Sequence, residues 1–255
     1  MEDYLSSMSS TCQEDAPCGP PVRQGSFSNY VTIFKTSLFS LIAWLTATDW
    51  PAGGEIDIVE GVHNEVFNSM TLHTNPGCTL DTSRANADVS LPDSANTFVG
   101  TVKTTDCNAL VNFNSGCSTQ DTDDHSFGIG LNDQQGGVYA TLWDDTGIKF
   151  CTSAHRLFIR VGTQALTYAA LEGFFPRGFI PDDITNSTPD PSGWLAPKAF
   201  FAATTCPMDQ FFKDLVFVIN TTLCGDLGNP TYGLAGCPGT CAEQVANPDN
   251  FNGIV

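Results

Sequence analysis

The chain has 255 residues, enough to bury one sizeable core, and carries 28 acidic against 10 basic residues for a net charge of −18. A surface so acidic repels phosphate polyanions, which excludes nucleic acid and anionic membranes as partners. A neutral ligand such as a glycan is neither steered nor repelled.

Residues 1–38 are rich in Ser, Pro and Cys and show no strand rhythm, so they are set apart as an N-terminal segment preceding a single domain at 39–255. The opening MEDYLSSMSSTCQEDAPCGPP places acids where a signal peptide carries a basic flank and then an apolar run, so none is predicted. The apolar stretch 31–47 is interrupted by Lys35 and several Ser and Thr, too polar to cross a membrane. Beyond it, 23 glycines and 15 prolines are spread along the chain and leave no room for long amphipathic helices. Strands are expected at 54–60, 69–73, 97–102, 137–143 and 215–220, each β-branched, aromatic or alternating in polarity. Many short strands in one domain predict an all-β sandwich or jelly roll. Residues 151–173, between GIKF and FFPRGFIPDDI, read as an insert; they contain alanines with His155, Arg156 and Arg160, a composition that suits a short helix.

Ten cysteines without a C-x-x-C pair predict disulfides rather than a reduced cytosolic protein. Cys237 and Cys241 in CPGTC have no second pair of matching spacing, which argues against zinc. Two sequons, at Asn186 and Asn220, fit a secreted glycoprotein.

The segment GEIDIVEG at 54–61 concentrates three acids on an otherwise apolar strand. Glu55 and Asp57 are two apart and leave one face, whereas Glu60 is five from Glu55 and points to the other unless a β-bulge at Ile58-Val59 restores the parity. Three acids on one face repel one another, so at least one keeps a proton near neutrality. Retaining glycoside hydrolysis uses that split: one carboxylate attacks the anomeric carbon, and a protonated neighbour protonates the leaving oxygen. Asp57, between them, would hydrogen-bond the nucleophile. The alternative is a solvated acidic edge strand or a calcium site. Trp44 and Trp50 flank the motif and either stack on sugar rings or fill the core. His73, in SMTLHT, is either a satisfied strand histidine or a neighbour that bonds a carboxylate or the substrate.

The blocks WPAGGEIDIVEGV (50–62), LHTNPGC (72–78), NSGCSTQDT (114–122), GGVYATLW (136–143), FFPRGFIPDDI (174–184), NTTLCGDLGNP (220–230) and GCPGTCAEQVANP (236–248) occur in the order found in glycoside hydrolase family 16. The chain resembles that family's fungal laminarinase-like members over roughly residues 42–250. The resemblance implies a concanavalin A-like jelly roll of two bent antiparallel sheets. It implies a secreted endo-β-1,3(4)-glucanase that hydrolyses β-glucan by double displacement, with Glu55 as nucleophile, Glu60 as acid/base and Asp57 supporting the nucleophile. Trp44, Trp50 and His73 match substrate-binding positions beside them. No cofactor is implied, although some relatives carry a structural calcium; the enzyme would act as a monomer. A glucan-binding remnant without turnover and a transglycosylase are the alternatives. By sequence block, Cys78 would pair with Cys107 or Cys117, and Cys206, Cys224, Cys237 and Cys241 among themselves. Four features depart from the family pattern: Ser40 in SLIAW stands where a tryptophan is usual, residues 1–39 match nothing in it, the insert is extra, and relatives continue past FNGIV through another core strand.

Overall fold

The computed structural model describes residues 27–33, 40–85, 96–133, 137–151, 158–161, 164–167, 175–176 and 196–251. Thirteen strands run in chain order: β1 (Phe27–Ile33), β2 (Ser40–Ala47), β3 (Glu55–Gly61), β4 (Ser69–His73), β5 (Thr101–Thr104), β6 (Cys117–Gln120), β7 (Gly137–Asp144), β8 (Gly147–Cys151), β9 (Phe158–Val161), β10 (Gln164–Thr167), β11 (Phe175–Pro176), β12 (Ala199–Ala202) and β13 (Leu215–Thr222). Among the described residues the helices are short: α1 (Gly128–Asp133), α2 (Met208–Phe211), α3 (Gly225–Tyr232) and α4 (Cys241–Ala246). None is long and apolar enough to cross a membrane.

Eleven of these strands form two antiparallel sheets, and β9 and β10 pair with each other apart from them. One sheet runs β1-β7-β8-β12 with β11 also on β7, and the other runs β13-β2-β3-β4-β6-β5. One apolar core joins them: Leu45, Ile56, Met70 and Leu72 from the second sheet meet Tyr139, Ile148, Phe150 and Phe201 from the first. Burial of these side chains supplies the main drive for stacking the sheets, about 1.5–3 kcal/mol for each large apolar side chain. Strand β12 is buried on both faces. Phe201 packs edge-to-face on Phe150, while Arg84 and Lys149 lie 5.3 and 5.1 Å from the Phe200 ring centroid and cover it with cation–π contacts.

Three sequence expectations are corrected here. The N-terminal segment holds a seven-residue strand, β1, paired with β7 from Phe27↔Trp143 to Ile33↔Gly137. The insert holds no helix among its described residues; β9 and β10 pair antiparallel, Val161 opposite Gln164. Among the described residues the disulfides are Cys78–Cys206, Cys107–Cys117 and Cys224–Cys241, so the expected partner of Cys78 is corrected while Cys224–Cys241 falls within its expected group. Cys206 sits on the turn after β12, which the bond from Thr79 N to Thr205 O at 3.1 Å lays beside Cys78, so a contact across 128 positions wins over the nearer cysteines. Cys12, Cys18, Asn186 and Trp194 fall outside the described residues.

Candidate active site

Strand β3 lies between β2 and β4, and its entry is fixed by packing. Gly54 has φ +78, and a Cβ there would lie 2.5 Å from Phe211 O and 2.4 Å from the Phe212 ring, so only glycine lets α2 and its following residue close over the start of the strand. From there the side chains alternate. Ile56 enters the core, while Glu55 and Asp57 leave the opposite face.

The alternation breaks at Ile58. Against β2, Trp44 pairs Asp57 and the next residue, Ala43, pairs Val59. Against β4, Asp57 pairs Thr71 and Glu60 pairs Ser69, so Ile58 and Val59 together face Met70 alone. This is the β-bulge that the five-residue spacing requires. Ile58 and Val59 are both buried, 1 % and 0 % exposed, so the bulge turns two successive apolar side chains inward and returns Glu60 to the side of Glu55 and Asp57.

The neighbours confirm the shared face. Thr46 Oγ1 donates to Glu55 Oε2 at 3.3 Å, and Thr71 Oγ1 donates to Glu60 Oε2 at 3.1 Å. His73, opposite Glu55 in the ladder, reaches Asp57 Oδ2 with Nε2 at 3.2 Å and bonds Asn114 Oδ1 through Nδ1 at 2.8 Å. Both ring nitrogens are therefore engaged within the protein, one of them with a carboxylate of the motif. Trp44 is half-buried beside Asp57, and Trp50 is exposed at the turn into β3.

The cluster is strongly polarised. Burial, reinforced by the charge of Asp57, raises Glu60 from 4.5 to about 7. Burial raises Asp57 from 3.8 to about 6 against the opposing pull of His73. Burial alone would lower His73, but the Asp57 hydrogen bond and the three carboxylates hold it up at about 9. At neutral pH His73 is thus an imidazolium donating on both sides, to Asp57 and Asn114, and Glu60 is poised between acid and carboxylate. The arrangement supplies a proton donor and a separate carboxylate on one face.

Among the described residues, Glu55–Asp57–His73 and Asp123–Asp124–His125 are the carboxylate-containing groups with mutually close ligand atoms, and in each the histidine lies against its own carboxylates. Cys241 of the CPGTC motif is disulfide-bonded.

Sequence reasoning missed Thr46, Asn68, Thr71 and Asn114, all of which contact the acids, their backbone or His73. The loop bearing Asn114 has three successive residues in the left-handed region, Asn112, Phe113 and Asn114 at φ 51, 56 and 58, and leaves Phe113 wholly exposed. The Asn-x-Asn pair was the one local signal, because asparagine tolerates that conformation.

The chain matches the XgeA-like catalytic GH16 domain over residues 42–156 and 171–254. A probable glycosidase of Schizosaccharomyces pombe is 35% identical over 212 residues, 82% of this chain and 43% of that protein. The endo-1,3(4)-beta-glucanase of Arthroderma benhamiae is 33% identical over 222 residues, again 82% of this chain and 40% of its own length. The chain thus spans less than half of each of these relatives. Among solved structures, GH16 Laminarinase 16A from Phanerochaete chrysosporium, with beta-glucans in donor and acceptor sites, superposes with a TM-score of 0.67 at 29% identity, covering 88% of this chain and 68% of that one. An elongating GH family 16 beta-1,3-glucosyltransferase gives 0.67 at 28% identity, covering 91% and 70%.

Proposed function

The chain belongs to glycoside hydrolase family 16, with that family's jelly-roll fold, and from this premise we propose that it is a retaining endo-β-1,3(4)-glucanase. The observation that carries the reading is the bulge in β3, which puts two glutamates on one face, one of them, Glu60, raised by burial toward holding a proton. Glu55, ionised, attacks the anomeric carbon and forms a glycosyl ester as the glycosidic C–O bond breaks. Glu60, protonated, gives its proton to the departing oxygen. Glu60 then takes a proton from water, the water oxygen attacks the same carbon from the opposite side, and Glu55 leaves as carboxylate with net retention. No cofactor enters these steps.

Asp57 acts on the nucleophile rather than on sugar: it is buried, sits beside Glu55 on the face and has the His73 imidazolium behind it. Trp50 and Trp44 offer aromatic faces on which the C–H side of glucose units stacks. The neighbour that elongates glucans supports a second product channel, in which a sugar hydroxyl replaces water in the second step. The three disulfides among the described residues and an exposed sequon at Asn220 support a secreted glycoprotein acting on extracellular β-glucan, which we take to work as a monomer.

Reducing-sugar release from laminarin and lichenan, with carboxymethyl cellulose as a control, tests the proposal. The chain releases sugar from the first two, and Glu55→Gln reduces that release at least about a thousandfold, as expected when a covalent nucleophile is lost. A folded chain inert on every glucan overturns the hydrolase reading, and chromatography of the products separates hydrolysis from transfer.

A further inference from the structure

A bulge solves the parity problem of β3 but creates another. Ile58 and Val59 are unmatched on β4, so the Ile58 carbonyl and the Glu60 N–H, which flank the irregular step, need partners other than the regular ladder in a site that is buried on its core side. One residue repairs both. Asn68, fully buried immediately before β4, donates from Nδ2 to Ile58 O at 3.0 Å and accepts at Oδ1 from Glu60 N at 3.0 Å. These partners fix the amide orientation, since a peptide N–H only donates and a peptide carbonyl only accepts. The Asn68 backbone is held in turn: its N–H donates to Ser126 Oγ at 2.9 Å and its carbonyl accepts from Asp121 N at 2.8 Å. Ser126 Oγ donates onward to Asp123 O at 2.6 Å, and the Tyr139 hydroxyl donates to Ser126 O. The amide that spans the bulge is therefore built into a buried network and is no chance contact.

We infer that Asn68 is a positioning residue for the acid/base: its side-chain amide clips the bulge shut and so sets the direction in which Glu60 leaves the strand. Glu55 lies on the far side of the bulge and is held by Thr46, so the clip acts on one of the two glutamates. Without it the bulge is free to slide, and a slide of one residue sends Glu60 toward the core face. The inference rests on the roles proposed above for Glu55 and Glu60.

That asymmetry gives a test that a merely structural asparagine fails. A glucan has a poor leaving group and needs the proton from Glu60, whereas a dinitrophenyl β-laminaribioside does not. In Asn68→Ala, with active sites counted by trapping the glycosyl ester with a deoxyfluoro donor, kcat/KM on laminarin falls about 10–100-fold, the range expected for a misplaced general acid. On the dinitrophenyl glycoside kcat/KM stays within about threefold, while kcat falls because the second step lacks its base. Azide, which needs no base, restores that kcat and gives the β-glycosyl azide. Equal losses on both substrates, or no loss on either, overturn the inference. Should Asn68→Ala not fold, Ser126→Ala, which removes the hydroxyl that holds the Asn68 N–H, shows the same split at smaller size, and its absence is equally fatal. Glu60→Gln run alongside separates the two levels: if it shows no split, the acid/base assignment itself is wrong, and if it splits while the Asn68 and Ser126 variants do not, only the positioning role fails.

Discussion

Burial makes the ionised form of Glu60 costly to the fold, and Glu60→Gln measures that cost. The folded chain binds a proton at Glu60 up to about pH 7, whereas the unfolded chain releases it near the ordinary 4.5. Glu60 therefore contributes its stabilisation fully below pH 4.5, and the contribution is lost as pH rises through 7, because across that window the native state holds a proton that the unfolded state has given up. At about 1.4 kcal/mol per pH unit, the gap of about 2.5 units amounts to roughly 3 kcal/mol. Glutamine fills the same space, keeps an acceptor for Thr71 and does not titrate. Urea unfolding followed by tryptophan fluorescence at pH 4.5 and pH 8 yields the free-energy difference between variant and wild type at each pH. That difference moves in favour of Glu60→Gln by about 3 kcal/mol between the two pH values, even though the variant has lost the acid/base. A difference that stays constant, or moves the other way, refutes the claim that burial and the Asp57 charge hold a proton on Glu60.

The same titration shapes turnover. Hydrolysis of laminarin needs Glu60 protonated in the free enzyme, so kcat/KM falls about tenfold per pH unit above about pH 7, and a profile flat to pH 9 would contradict the assignment. Replacing Cys78 and Cys206 by alanine, which opens a link across 128 positions, lowers the unfolding free energy by about 5 kcal/mol, against about 3 for the Cys224–Cys241 link across 17; chemical denaturation of the two double variants checks the order. Gly54→Ala forces a Cβ against Phe211 O and Phe212 at positive φ, and thermal unfolding is expected to show a loss of about 2 kcal/mol together with reduced activity, since Glu55 is the next residue.

The catalytic strand was legible in the sequence because its information is local. Alternation within GEIDIVEG assigns faces, and the odd spacing of Glu60 demands a bulge that the ladder then contains. Of the residues that support the acids, His73 was legible as a candidate neighbour of the carboxylates, and SMTLHT does place it on β4 against Asp57. The others arrive from elsewhere: Thr46 from β2, Thr71 from β4, Asn68 from the loop before it, and Asn114 from a loop before β6, where only the Asn-x-Asn pair gave a local signal; each becomes significant through strand order. Composition also misled where it was averaged. The Ser- and Pro-rich run at 1–38 hides FSNYVTI, whose β-branched and aromatic residues make β1, and the alanines and arginines of the insert drew attention from FIRV and QALT, which pair as strands. Cysteine spacing failed for the same topological reason, since Cys206 meets Cys78 only when the turn after β12 folds beside it.

Strand β13 shows how far the site depends on its sheet. LVFVINTT is apolar on both faces through Ile219 and carries no charge or proline, the usual guards of an edge strand. Phe217 and Ile219 register with Leu45 and Ala43, which are core-facing and buried, yet they remain 42 % and 55 % exposed. The core cover therefore thins at this edge, and the resistance of the folded chain to self-association there falls to its net charge of −18. Only β2 separates β13 from the catalytic strand, and β2 carries Trp44 opposite Asp57 and Thr46 on Glu55. Loosening at β13 thus reaches Glu55 through one strand, while Glu60 is anchored from the β4 side by Asn68, Thr71 and the core behind the bulge. The two glutamates share one face but are held from different neighbouring strands, Glu55 from β2 and Glu60 from β4, and the β2 side is the one with less packed over it.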